Sequence, residues 1–152
     1  MEIRFAKIKD EKSVLKLLDE LGIELNEKVG YSTRNIEAQE KGGPIFQEII
    51  NRKDMRIFVA LENQEMVGLV TFYILPNIRH GIYRGHIEDF IVTKNKRGQG
   101  IGTKLFNAVK DFCKTNNIKV IKLDTNNNLE AHSFYLKNGG EQTEIMYRFN
   151  IE

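Results

Sequence analysis

An α+β domain built on one mixed sheet is what this sequence predicts, on three observations. Apolar residues follow a helical period early in the chain, switch to a period of two from Arg56, and return to the helical period after the glycine-rich turn at 98–102. The elements therefore run β-α-α-β-β-β-α-β-α-β, an antiparallel front half followed by a βαβ unit. Finally, 152 residues fit one domain, 1–152, that buries on the order of 70% of its unfolded surface without disulfides or metal.

Ile3 to Ile8 alternates weakly and reads as a first strand. Asp10 then caps a helix whose Val14, Leu17, Leu18 and Leu21 keep i, i+3, i+4, i+7 spacing, with Gly22 as its stop. Residues 24–42 are polar and aperiodic, the mark of a variable, substrate-facing region, and Gly43-Pro44 opens a short helix carrying Ile45, Phe46, Ile49 and Ile50. Arg56 to Leu61 and Met66 to Leu75 form a hairpin across the polar turn Glu62 to Glu65. After a loop from Pro76 to Gly85, His86 to Val92 is a strand dense in Ile, Phe and Val. Ile101, Leu105, Val109 and Phe112 or Cys113 stripe a helix to about Asn117. Val120 to Thr125 reads as a strand, Leu129 to Asn138 as a helix closed by Gly139-Gly140, and Thr143 to Ile151 as a last alternating strand.

Charge narrows the partner. With 23 Lys+Arg against 21 Asp+Glu the net charge is only +2, too balanced for a nucleic-acid binder that works through a large positive field. No run approaches the ~18 apolar residues of a membrane span. Met1 opens onto Glu-Ile-Arg-Phe instead of a basic segment and an apolar block, so the expected setting is cytoplasmic. One cysteine, Cys113, makes no internal disulfide and sits on an apolar helix face, a core position. His80, His86 and His132 lack ligand spacing with each other or with Cys113, so no metal site is expected.

The most informative stretch is Val92-Thr93-Lys94-Asn95-Lys96-Arg97-Gly98-Gln99-Gly100-Ile101-Gly102-Thr103, between a strand and a helix. The first N–H groups of a helix lack internal partners and carry roughly +0.5 charge, which suits a phosphate. Glycines at 98, 100 and 102 would let the ligand approach those amides, and Lys94, Lys96, Arg97 and Lys104 would add positive charge. The dinucleotide pattern G-x-G-x-x-G fails because the third glycine comes one place early; the Walker pattern fails because Gly102 is followed by Thr103-Lys104.

R-x-x-G-x-G at Arg97, Gly100 and Gly102, after a valine-ended strand, resembles the acyl-CoA pyrophosphate loop of the GNAT superfamily of N-acyltransferases. A second motif, Asn128-x-x-Ala131-x-x-Phe134-Tyr135-x-x-x-Gly139, resembles the same family at the family's separation. Locally, Gly85-His86-Ile87-Glu88-Asp89 resembles the corresponding strand of glucosamine-6-phosphate N-acetyltransferases. Lys94 stands where many members have proline, and Gly140 where an aromatic is usual.

The resemblance implies a GNAT fold, acetyl-CoA as cofactor, and transfer of its acetyl group to a primary amine by direct attack in a ternary complex. It implies cofactor contacts at Phe90, Ile91, Val92, Arg97, Gly98, Gln99, Gly100, Ile101, Gly102, Thr103, Asn128 and Tyr135. A lysine-like amine costs about 4.6 kcal/mol to deprotonate at pH 7, so a base is needed. Glu88 is the first candidate, expected to lie buried among Ile87, Phe90 and Ile91 with its pKa raised, while Asp89 should face the other way. Asp124 on the fifth strand is the second. Tyr135 is the candidate acid; phenol lies above a thiol, so full proton transfer is uphill by roughly 2 kcal/mol and a hydrogen bond to the leaving sulfur is easier. The oxyanion would find a backbone N–H where the fourth strand splays from the fifth.

Each candidate has a structural alternative: an ordinary helix-start loop for the turn, packing for Tyr135, a salt bridge for Glu88, a strand-end turn for Asp124. Arg79, His80 and Arg84 are either a solvated loop or a site for an anionic substrate. Small-molecule amines lead as acceptors; a peptide amine, or no catalysis at all in an acyl-CoA sensor, are the alternatives. The last strand offers an edge through which a homodimer could form.

Overall fold

The computed structural model describes residues 1–30, 36–126 and 129–151. Its sheet has five strands in the order β1-β2-β3-β4-β5: β1 (Glu2–Phe5), β2 (Met55–Glu62), β3 (Glu65–Asn77), β4 (Ile82–Val92) and β5 (Ile121–Leu123). The first four pair antiparallel, and β4 pairs β5 in parallel. The helices are α1 (Glu11–Val29), α2 (Ala38–Lys41), α3 (Gly43–Ile49), α4 (Ile101–Thr115) and α5 (Ala131–Lys137).

Alternation along the strands sends two sets of apolar residues to opposite faces. Phe58, Ala60, Val70, Phe72 and Ile87 pack against Ile101, Leu105, Val109 and Cys113 of α4. Ile57, Val59, Leu69 and Ile91 pack against Val14, Leu17 and Phe46 of α1 and α3. Cys113 is a core residue, and burial pushes its thiol up to about 11, leaving it no nucleophile.

Several sequence expectations are corrected. Gly22 does not stop the first helix; it is buried, and α1 continues to Val29, where Gly30 at φ +74° closes it. Beyond Gly22, Glu24 ties the helix to Lys28 at 2.7 Å and to Arg97 at 2.5 Å, which offsets a glycine penalty of about 1 kcal/mol. Within the polar stretch, α2 forms because the buried Asp19 of α1 accepts the Ala38 N–H at 2.8 Å and the Gln39 N–H at 3.1 Å. The expected loop from Pro76 to Gly85 shrinks to a turn at Ile78–His80, and β4 begins at Ile82. β1 and β5 are shorter than expected, at four and three residues. The last strand does not form: residues 140–151 carry neither strand nor helix, with Ile145, Tyr147, Phe149 and Ile151 exposed. Alternation reports what a segment would bury if paired, not whether an edge receives it.

Two local devices shape the middle of β4. A β-bulge lies at Glu88, since Thr71 faces Asp89 while the next residue, Phe72, faces Ile87. At Gly85 the ring of Phe72 leaves no room for a side chain: a Cβ there would lie 2.3 Å from Cζ. Gly85 therefore turns toward the α4 face, and Arg84 and His86 turn to the other.

Candidate active site

β4 and β5 stay paired from Gly85–Ile121 to Ile87–Leu123 and then part. A cavity of about 520 Å³ opens beyond, lined by Leu21, Glu24 and Leu25 of α1, Phe90, Ile91 and Val92 of β4, the turn Lys96 to Gly98, Gly100 to Thr103 of α4, and Leu129 to Lys137 around α5. Of the expected cofactor contacts, Phe90, Ile91, Val92, Arg97, Gly98, Gly100, Ile101, Gly102, Thr103 and Tyr135 are brought together there. Gln99 is exposed and outside the lining, and Asn128 lies outside the described residues.

The turn presents its backbone. Gly98 and Gly100 adopt φ +74° and +79° and face open space, a conformation and a clearance that side chains would spoil. Gly102 is different; a Cβ there would make ordinary contact with Phe134 at 3.6 Å. Lys104 N–H makes the bond of the first turn of α4 to the Gly100 carbonyl at 3.1 Å, so the amides of Ile101, Gly102 and Thr103 precede it and point outward at the cavity. These amides, at the head of a 15-residue helix, fit a pyrophosphate.

Two of the cations counted from sequence are already engaged. Arg97 donates to both oxygens of Glu24, at 2.8 and 2.5 Å, and from Nε to the Val92 carbonyl at 2.8 Å. That fork, with Lys28 beside it, holds the Glu24 carboxyl down at about 2. Lys96 is tied to Glu62. Glu20 of α1 accepts from the Thr93 hydroxyl at 2.9 Å and the Lys94 N–H at 3.1 Å. Sequence reasoning missed all three carboxylates, because Glu20 and Glu24 sit 73 or 74 residues from their partners.

Tyr135 packs among Phe90, Phe106 and Phe134, with centroids 6.3, 6.5 and 5.5 Å away, and burial pushes its phenol up to about 12. Against an ordinary thiol the transfer of its proton would be uphill by about 5 kcal/mol, so a neutral phenol here is suited to donating a hydrogen bond and not its proton.

The two carboxylates of β4 exchange the environments expected of them. Glu88, the bulged residue, is exposed, its Oε2 3.1 Å from His86 Nε2. Asp89 is the inward one: its Oδ2 accepts from the Thr71 hydroxyl at 2.7 Å, that hydroxyl accepts the Asp89 N–H at 2.9 Å, and desolvation raises its carboxyl above the usual range. The extra residue of the bulge breaks strict alternation, which a count along β4 alone does not reveal. Asp124 lies exposed just past β5 and away from the cavity lining. No three His, Cys, Asp or Glu residues group as metal ligands among the described residues, and no helix there is long and apolar enough to cross a membrane.

The site is thus a cleft of backbone amides at a helix head, between two diverging parallel strands and walled by aromatics. The model of the acetyltransferase (GNAT) family matches residues 23–140, and the chain belongs to that family, whose activity is N-acetyl transfer. The chain is 27% identical over 147 residues to an aminoalkylphosphonate N-acetyltransferase of Salmonella typhimurium, covering 96% of this chain and 88% of that one. It is 36% identical over 96 residues to N-alpha-acetyltransferase 30 of Schizosaccharomyces pombe, covering 62% and 63%. Its fold matches the BH1408 protein of Bacillus halodurans at TM-score 0.84 with 21% identity, covering 99% and 100% of the two chains. It also matches an aminoglycoside acetyltransferase from an uncultured soil sample, solved with sisomicin, at TM-score 0.78 with 20% identity, covering 99% and 96%.

Proposed function

We propose that this protein is an acetyl-CoA-dependent N-acetyltransferase of small-molecule primary amines, acting as one domain by direct attack in a ternary complex. The observation that carries the cofactor assignment is the pair Gly98–Gly100 opening the α4 amides onto a cavity of about 520 Å³. When bound, acetyl-CoA supplies the thioester whose C–S bond breaks as the amine's C–N bond forms.

The chain's own groups do the rest. The amides at the head of α4 hold the pyrophosphate, and Phe90, Ile91 and Val92 flank the arm that reaches the β4–β5 fork. A β4 N–H beside the bulge stabilises charge on the carbonyl oxygen. Glu88, paired with His86, takes the amine's proton from the exposed side, directly or through a water. Glu88 and Asp124 both lie outside the cavity lining, each one residue past the last β4–β5 pair; Glu88 is the base preferred here because His86 stands beside it. Tyr135 donates to the departing sulfur, and Asn128 binds the pantetheine amide, as family resemblance suggests. Balanced charge and the lone buried cysteine support a cytoplasmic setting, and the exposed apolar residues after Gly140 support a homodimer.

The named aminoalkylphosphonate relative supports a small acceptor, and the S. pombe relative supports a peptide α-amine as second reading. Release of free thiol from acetyl-CoA over a panel of small amines and N-terminal peptides tests both. Turnover confined to peptides would move the assignment to the second reading, and cofactor binding without turnover of any amine would make the domain a sensor.

A further inference from the structure

The face of β4 that Gly85 turns away from α4 carries an aligned row. Register places Tyr73, His86 and Lys122 side by side on β3, β4 and β5, with Arg84 beside Leu75 one step further along. This lies past Leu69 and Ile91, where the apolar packing of α1 and α3 ends. At the edge of the row, Lys122 Nζ is 2.6 Å from the Glu144 carboxylate. Lys122 holds that carboxylate below the usual range, and Arg84 and Arg79 add a smaller attraction.

Lys122 thus engages an exposed carboxylate of a segment without strand or helix, on the face that also carries Arg84. The row also reaches the base: Arg84 and His86 are two residues, or about 7 Å, apart along β4, and His86 touches Glu88.

We propose that the acceptor bears a second, anionic group, a phosphonate, phosphate or carboxylate a few bonds from its amine. Arg84 and Lys122 take that group in place of the Glu144 carboxylate. This rests on the acetyl-transfer reading above and assigns its substrate class. The anion anchors one end of the acceptor while the amine meets Glu88.

Steady-state rates with acetyl-CoA and three matched amines, 3-aminopropylphosphonate, β-alanine and propylamine, test it. The kcat/KM for the phosphonate should exceed that for propylamine about tenfold or more, the value of one charge-assisted contact. That ratio should fall about tenfold in Arg84→Gln and in Lys122→Gln, and rise about two- to threefold in Glu144→Gln, which removes the competing carboxylate. Ratios taken within each variant cancel differences in folded fraction. A ratio near one in the unchanged protein, or a fall in Glu144→Gln, overturns the anion site while leaving N-acetyl transfer intact. If none of the amines turns over, calorimetry with methylphosphonate decides: heat lost in Arg84→Gln keeps the anion site and sinks the small-amine reading, and no heat in the unchanged protein sinks the site.

Discussion

The cofactor cleft and the face beside it are made of opposite materials. The cleft recognises with backbone: amides at the head of α4, two glycines with positive φ, and an aromatic wall, with Arg97 and Lys96 already neutralised by Glu24 and Glu62. The face presents side chains, Tyr73, Arg84, His86, Glu88 and Lys122, with the His86–Glu88 and Lys122–Glu144 pairs among them. Backbone recognition is fixed by local conformation and tolerates few changes. Side-chain recognition can be rewritten residue by residue, which lets one cofactor site serve many acceptors.

The largest effect expected from breaking this contrast is at Gly100. Gly100→Glu imposes a side chain at φ +79°, strain of roughly 1–2 kcal/mol, and sets a carboxylate against the anion's place, so acetyl-CoA affinity should fall on the order of 100-fold by calorimetry. An unchanged affinity would remove the pyrophosphate from α4. Next come Glu88→Gln and Tyr135→Phe, each expected to lower kcat roughly 10- to 100-fold with little change in KM for acetyl-CoA. A loss confined to KM would make Tyr135 a wall of the cleft and nothing more.

Acid sensitivity should expose the internal neutralisation. Glu24 has its pKa depressed in the fold, so its pair with Arg97 contributes stability fully present above about 4.5 and lost as pH falls toward about 2. Thermal melts across that window should fall less steeply in Glu24→Gln, which should also start a few degrees lower at neutral pH; parallel curves would mean the pair contributes nothing. The smallest effect is expected at Gly102→Ala, where the new methyl meets Phe134 at ordinary distance and cofactor affinity should shift less than about threefold. A larger loss would show that the cleft needs the α-carbon of Gly102 bare as well.

The same contrast decides what could be read beforehand. The cleft draws most of its lining from the stretch 90–103 and from α5, so its glycines and Tyr135 stand out in the chain, although Gln99 lies outside the lining. The face was not, because its members meet only through the register of three strands, and one bulge at Glu88 exchanged the surroundings of two neighbouring carboxylates. The α1 clasp on the turn was equally hidden: Glu24 announces its partner Lys28 four residues on, but nothing near it in sequence points to Arg97. The final alternating segment shows the reverse failure, a clear local pattern that pairs with no strand among the described residues although β5 leaves an edge.

Gly85 and Phe72 carry a further consequence, for how this sequence can drift. A methyl at 85 would enter the ring of Phe72, which is fully buried and wedged edge-on between Phe58 and Phe112. Gly85→Ala alone should be damaging, as should trimming Phe72 alone, which leaves a void costing on the order of 1–4 kcal/mol. Made together, Gly85→Ala and Phe72→Leu should partly restore each other. The two positions form a locked pair in which a change at one calls for a change at the other, and this keeps Arg84 and His86 on the face away from α4.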